Sequence, residues 1–373
     1  MIVAGGTYGE ECVYPKMDAL LGSGGRALTA LRTQIDVEFH TFFPDNGTVR
    51  LNFGGKTVVH QSSSAFSFQY LHPLASPRLT GMLTDTLLLA EVSGDHVLRF
   101  GCVEGHFKVD AEAVVYDPQG SGELFSANGS RAKRLAIVLN EGEAEIQTGC
   151  DQPESAALAL LSKERAEAIV VKRGAAGCLV VNAKGDISHI PAFRTRRVFK
   201  IGSGDIFSAA FAYAWIECGM AAREAAYFAS SNAALYVDTR NLALTTELPS
   251  LDPVCAEPSK LAIAVVSDQQ TMLDHWLAWE AKASLDNLGV RHVQLIDHFE
   301  RNGLPGLLTA MDAIVVLPRS PEGMAIDAIA AAYTAKIPSH IFCDEKQSEL
   351  RDVLGSQAVY DDFAGCLYNS IWN

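Results

Sequence analysis

The sequence predicts an α/β protein: a mostly parallel sheet flanked by helices, followed by a smaller, doubly wound α/β domain. Three observations predict it. Short apolar runs such as Leu135-Ala136-Ile137-Val138-Leu139 have the length of strands buried on both faces of a parallel sheet. Glycine-rich turns lead into helical apolar patterns. After a stretch carrying Pro249, Pro253 and Pro258, strand–helix alternation starts afresh at Leu261. The expected boundaries are a first domain over 1–246, a linker over 247–260 and a second domain over 261–373.

The 373 residues suit one large or two ordinary domains, and a hydrophobic fraction of 48% is ample for full cores. The formal net charge is −14, shared evenly. Residues 258–373 carry 8 Lys+Arg against 15 Asp+Glu and the rest 22 against 29. That balance argues against a nucleic-acid surface. No apolar run has membrane-spanning length and the start lacks a basic leader, so no membrane partner and a cytoplasmic location are expected. The eight scattered cysteines form no Cys-x-x-Cys pair and fit reduced thiols.

In chain order, Ile2–Ala4 reads as a buried strand and Leu21–Leu31 as a glycine turn entering a helix. From Val37 to about Pro77 the pattern is strand-like, with Gly54-Gly55 as a hairpin turn. Thr84–Glu91, Ala113–Tyr116 and Ala168–Val171 are further strands. Lys200-Ile201-Gly202-Ser203-Gly204-Asp205 then opens a helix. Glycines allow amides to turn inward, and with the helix dipole they form an anion site. Asp205 at its mouth suits proton abstraction during phosphoryl transfer. By themselves these residues also fit a glycine turn with Asp205 as a cap.

The Gly202-Ser203-Gly204-Asp205 loop resembles the signature of the PfkB (ribokinase-like) family of carbohydrate and nucleoside kinases. Other stretches resemble it too: Gly24-Gly25 before a helix, Asp117-Pro118-Gln119 ending a strand, Asn140-Glu141-Gly142-Glu143, and the glycine hairpin at Gly174 and Gly177. The resemblance implies a ribokinase-like fold with a small β lid over about 37–77 and an ATP-dependent kinase acting on a sugar or nucleoside hydroxyl. Asp205 would be the base, and Gly202, Ser203 and Gly204 the anion hole. Asn140 and Glu143 would organise Mg²⁺, with a monovalent cation as a further candidate. Lys172, Gly174, Gly177 and Asn232 would contact ATP. Glu11, or its neighbour Glu10, with Gly24, Gly25 and Thr29, would contact the acceptor. Thr29, Gln119, Lys172 and Ile201 depart from the family pattern. Competing residue-level readings are a capping box for Asn140 and Glu143, a packing role for the glycines, a helix–helix hydrogen bond for Asn232, and exposed charges for Lys172 and Arg173. Arg194, Arg196 and Arg197 read as a solvated strand face.

The tail resembles nucleoside 2-deoxyribosyltransferases through Met311–Val316 and Glu322–Asp327, with Asp327 where a catalytic Glu is usual. Two alternatives to the kinase therefore stand: N-glycosidic chemistry by Asp327, or a nucleotide-binding scaffold without turnover. A homodimer is also a candidate.

Overall fold

The structure is a computed structural model that describes residues 1–44, 53–81, 88–296, 304–344, 350, 354 and 359–372. Its largest element is a nine-stranded sheet in the order 187–190, 178–182, 168–172, 131–140, 105–117, 88–100, 2–4, 38–43, 56–61. Neighbours are parallel from 168–172 through 56–61, and the two strands at the other edge are antiparallel. The alternating residues of these runs fill two cores. Val115, Val138 and Val170 meet helices Gly22–Leu31, Ser203–Ala212 and Ala222–Thr239 on one face. Val114, Ile137 and Ile169 meet Glu141–Thr148 and Pro153–Glu164 on the other. This two-faced burial is why the strands read as continuous apolar runs.

Strands Leu88–Phe100 and Gly105–Asp117 pair in parallel over 13 residues each. Straight strands of that length would span about 40 Å, yet only residues 101–104 join them, a reach of at most about 19 Å. Both strands therefore curve back. Gly94 lies midway, where a Cβ would come 2.7 Å from Ile2 Cδ1.

The lid differs from expectation. It is a four-stranded sheet in the order 17–20, 9–12, 67–70, 78–80. Within the expected 37–77 span, Glu38–Phe43 and Lys56–Gln61 instead pair in parallel at the edge of the large sheet. Their half-buried alternation does not distinguish a lid from a sheet edge. The expected strand at 48–53 lies outside the described residues except for Phe53, as does the start of that at 84–91.

The second unit is a parallel sheet in the order 292–296, 262–267, 313–317, 339–342, 359–360. Helices Met272–Asn287 and Phe363–Ile371 cover one face and Met324–Ala335 the other. The expected linker is pinned: Pro253–Val254 pairs with Ala192–Phe193, and the Arg194 amide donates to Asp252 O at 2.8 Å. Among the described residues no disulfide forms and no helix is long and apolar enough to cross a membrane.

Candidate active site

Helix Ser203–Ala212 begins where Gly202 takes φ +78°, a left-handed conformation that glycine adopts without strain. Its first turn carries Asp205, 7% exposed, on the wall of a cavity of about 960 Å³. The cavity is lined by Glu10, Phe68 and Tyr70 at the lid and by Gln119, Lys172, Lys200, Gly202, Ser203 and Gly204 at its middle. The Ser203 amide donates to Lys200 O at 3.0 Å. Within the described residues no such bond engages the Gly202 and Gly204 amides, so two of the three expected anion-hole donors are open.

Arg26, 1% exposed, binds the Asp205 carboxylate. Its Nη1 donates to Asp205 Oδ2 at 2.6 Å, and its Nη2 to Glu10 Oε2 at 2.6 Å. One guanidinium therefore serves two buried carboxylates. Burial works against its charge, but Glu10 and Asp205 keep it protonated. Burial pushes the Asp205 carboxyl up to about 6 against the pull of Arg26, with Glu10 and Asp117 adding to the rise. The other oxygen, Oδ1, is held less tightly, accepting from Gln119 Nε2 at 3.2 Å. Gln119 itself sits at φ +52°.

Lys172 is not an exposed turn charge. It is the last residue of the buried strand 168–172, and its Nζ donates to Asp117 Oδ2 at 2.8 Å. Ser208 Oγ donates to the same oxygen at 2.6 Å. Burial opposes the lysine's charge, and Asp117 with Glu143 outweighs it, so its pKa is raised. A Cβ on Gly204 would lie 3.4 Å from Nζ, which places this cation beside the loop.

Asn140 and Glu143 both line the cavity, and they form a capping box: Glu143 N donates to Asn140 Oδ1 and Asn140 N to Glu143 Oε2, each at 2.8 Å. Burial, with Asp117 nearby, raises the Glu143 pKa. No cluster of three His, Cys, Asp or Glu suited to a metal occurs among the described residues. The donors present fit an ion that keeps most of its waters, as Mg²⁺ does, and not one held in a protein cage.

Gly174 and Gly177 line the far end of the cavity. At Gly177, φ is +81° and a Cβ would come 2.1 Å from Ile190 O, so only glycine fits. Several expected contacts lie elsewhere. Glu11 points out of its strand and accepts from Gln69 Nε2 at 3.2 Å, while Glu10 points in. Gly24 and Gly25 sit inside the helix and allow close packing, with a Cβ on Gly24 2.7 Å from the Gly5 backbone and one on Gly25 3.0 Å from the Phe53 ring. Thr29 Oγ1 donates to Gly25 O at 2.8 Å within its own helix. Asn232 does not line the cavity. It donates to Phe228 O and Thr245 O and accepts from Thr245 N, which uses its amide to fasten the loop after its helix. Asp327 lies in the first turn of helix Met324–Ala335, in the second unit and outside this cavity.

Arg26 and Asp117 are the site residues that reasoning from sequence missed. The signal for Arg26 was one charge on a helix face otherwise made of Gly, Ala and Leu. Gly202→Ala tests this packing: the new Cβ would fall 2.1 Å from Arg26 Nε at a left-handed φ. The expected result is a loss of several kcal/mol, about 2–4, from strain and displacement of the buried ion pair, read by denaturant unfolding.

Residues 107–248 match the family model of the pfkB family carbohydrate kinases. A curated relative, bifunctional protein HldE from Paramagnetospirillum magneticum, is 30% identical over 131 residues, 35% of this chain. The chain spans about a quarter (26%) of that relative. Solved structures similar to this chain include a pyrophosphate-dependent kinase in the ribokinase family complexed with a pyrophosphate analog and myo-inositol (16% identity, TM-score 0.47, 64% of this chain and 95% of that one). Another is fructokinase from Vibrio cholerae in a fructose-, ADP- and calcium-bound form (13%, TM-score 0.45, 65% and 94%).

Proposed function

We propose that the chain transfers the terminal phosphoryl group of ATP to a hydroxyl of a sugar or nucleoside. The observation that carries this reading is the buried Asp205 carboxylate beside open loop amides and Lys172 in one cavity. The acceptor hydroxyl takes the place of Gln119 at Asp205 Oδ1 and gives up its proton there. The acceptor oxygen–phosphorus bond forms as the bond to the ADP oxygen breaks. Lys172, Lys200 and the amides of Gly202 and Gly204 offset the charge that gathers on the phosphoryl oxygens. Mg²⁺, reached through water from Glu143 and Asn140, would neutralise phosphate charge.

The test is an acceptor-dependent ADP-release screen over sugars and nucleosides. A base with a pKa near 6 must lose its proton to act. The kcat/KM of the productive acceptor is therefore expected to fall tenfold per pH unit below about 6 and to level off above it. A flat profile between pH 5 and 7 would count against Asp205 as base.

A second reading, nucleotide binding without turnover, is favoured by the 2.6 Å bond that ties Asp205 to Arg26. It requires that ADP binds while no acceptor raises ADP release above the acceptor-free rate.

A further inference from the structure

We infer that the C-terminal unit builds one wall of the site: its closing helix, Phe363–Ile371, supplies the face against which a planar heteroaromatic base of the nucleotide packs. The inference rests on the phosphotransferase reading and adds a second structural unit to it.

The cavity that holds Asp205 is also lined by Gly174, Gly177, Tyr368 and Trp372. Both aromatic residues belong to the second unit's core and are nearly fully buried, at 5% and 3% exposure. Their rings meet edge to face at 5.2 Å. The Trp372 indole N–H donates to Ala175 O at 2.9 Å, inside the glycine hairpin. A Cβ on Gly174 would lie 3.6 Å from the Tyr368 hydroxyl, ordinary contact distance, which places the tyrosine beside the hairpin. Ala233, Ala234 and Val237 of helix Ala222–Thr239 line the same cavity. An aromatic wall and an aliphatic wall around one cavity favour a flat, weakly polar ring.

The helix is held by the segment that leads to the anion loop. Arg194, Arg196 and Arg197 are therefore not a solvated strand face. Arg196 Nη2 donates to Val359 O at 2.8 Å, Arg197 pairs with Asp361 at 2.7 Å, and Arg194 donates to Trp372 O. Asp362 caps the closing helix at Gly365 N and accepts from Val198 N at 2.8 Å, four residues before Gly202. Asn369 Nδ2 donates to Thr195 O at 2.8 Å. A ligand that moves Tyr368 thus acts on the same segment that positions the loop.

The test compares a probe with a ring and a probe without one, ADP and pyrophosphate, titrated calorimetrically into the full chain. In Tyr368→Ala, ADP affinity is expected to fall at least about fivefold while pyrophosphate affinity stays within about twofold, the loss typical of one base–aromatic contact. Tyr368→Phe keeps the ring and is expected to bind ADP as the unaltered chain does. Should Tyr368→Ala not fold, hydrogen exchange of the unaltered chain reads the same contact: ADP slows exchange across 363–372 and pyrophosphate does not. Equal ADP binding by Tyr368→Ala, or unchanged exchange under saturating ADP, overturns the inference and leaves the phosphotransferase reading standing. An unaltered chain that binds pyrophosphate but not ADP overturns the inference and ATP as the donor, leaving only phosphoryl transfer from a donor without a base. Binding of neither probe overturns both.

Discussion

Asp205→Asn is expected to lower acceptor-dependent turnover by about 10²–10⁴-fold, the usual worth of a positioned general base. The amide keeps the shape of the carboxylate but cannot take a proton. Glu10 remains to pair Arg26 at 2.6 Å, so the variant keeps a compensated guanidinium and is expected to stay folded. ADP binding is expected within about threefold of the unaltered chain, because the effect belongs to the transition state and not to ground-state affinity. Turnover measured beside ADP titration separates the two. Unchanged ADP release would remove Asp205 from the reaction, and parallel loss of both would mark it as a structural carboxylate.

Arg26→Met is expected to destabilise the fold by about 3–5 kcal/mol near neutral pH, since it leaves two buried carboxylates sharing no cation. The side chains of Arg26, Glu10 and Asp205 are 1%, 7% and 10% exposed, so water offers little relief. The pH dependence follows from the raised pKa. Without Arg26 the folded pKa of Asp205 moves further above its unfolded value, starting from about 6. The folded state then holds protons that the unfolded state has released. The defect is therefore smallest below about pH 6, where Asp205 is protonated in both folded proteins, and grows as pH rises from there through the variant's higher folded pKa. Urea unfolding of both proteins at pH 4.5 and pH 8 reads this directly. A defect of equal size at both values would mean that lost packing, and not unpaired charge, dominates.

The parts of this protein that are local in sequence were legible in it. The loop at Gly202–Asp205, the strand runs and the glycine hairpin announce themselves within a few residues. What the sequence hid is set by distance and phase. Arg26 meets Asp205 across 179 positions, and nothing near either residue marks the partner. Glu10 and Glu11 differ only in the phase of a four-residue strand, whose alternation turns Glu10 inward and Glu11 outward. Lys172 looked like a turn residue because glycines follow it, yet it is the last rung of a buried strand held by Asp117. Asn140 and Glu143 fit both a phosphate-side pair and a capping box in sequence, and the structure shows the cap in residues that also line the cavity. The lid was placed only in part: strand 67–70 lies in the expected span, but edge strands of the large sheet and lid strands carry similar patterns. The arginine run before the loop looked solvated because its partners, Val359, Asp361 and Trp372, lie more than 160 residues downstream.

Ala175, Ala192 and Val198 pack in the same apolar cluster as Val265, Val315 and Phe363, and His72 adds a 2.8 Å bond to Glu280 with its ring 5.2 Å from that of Phe363. A protease that nicks the proline-bearing joint would therefore not release a smaller folded unit. The two fragments would travel together through a sizing column and melt in a single transition.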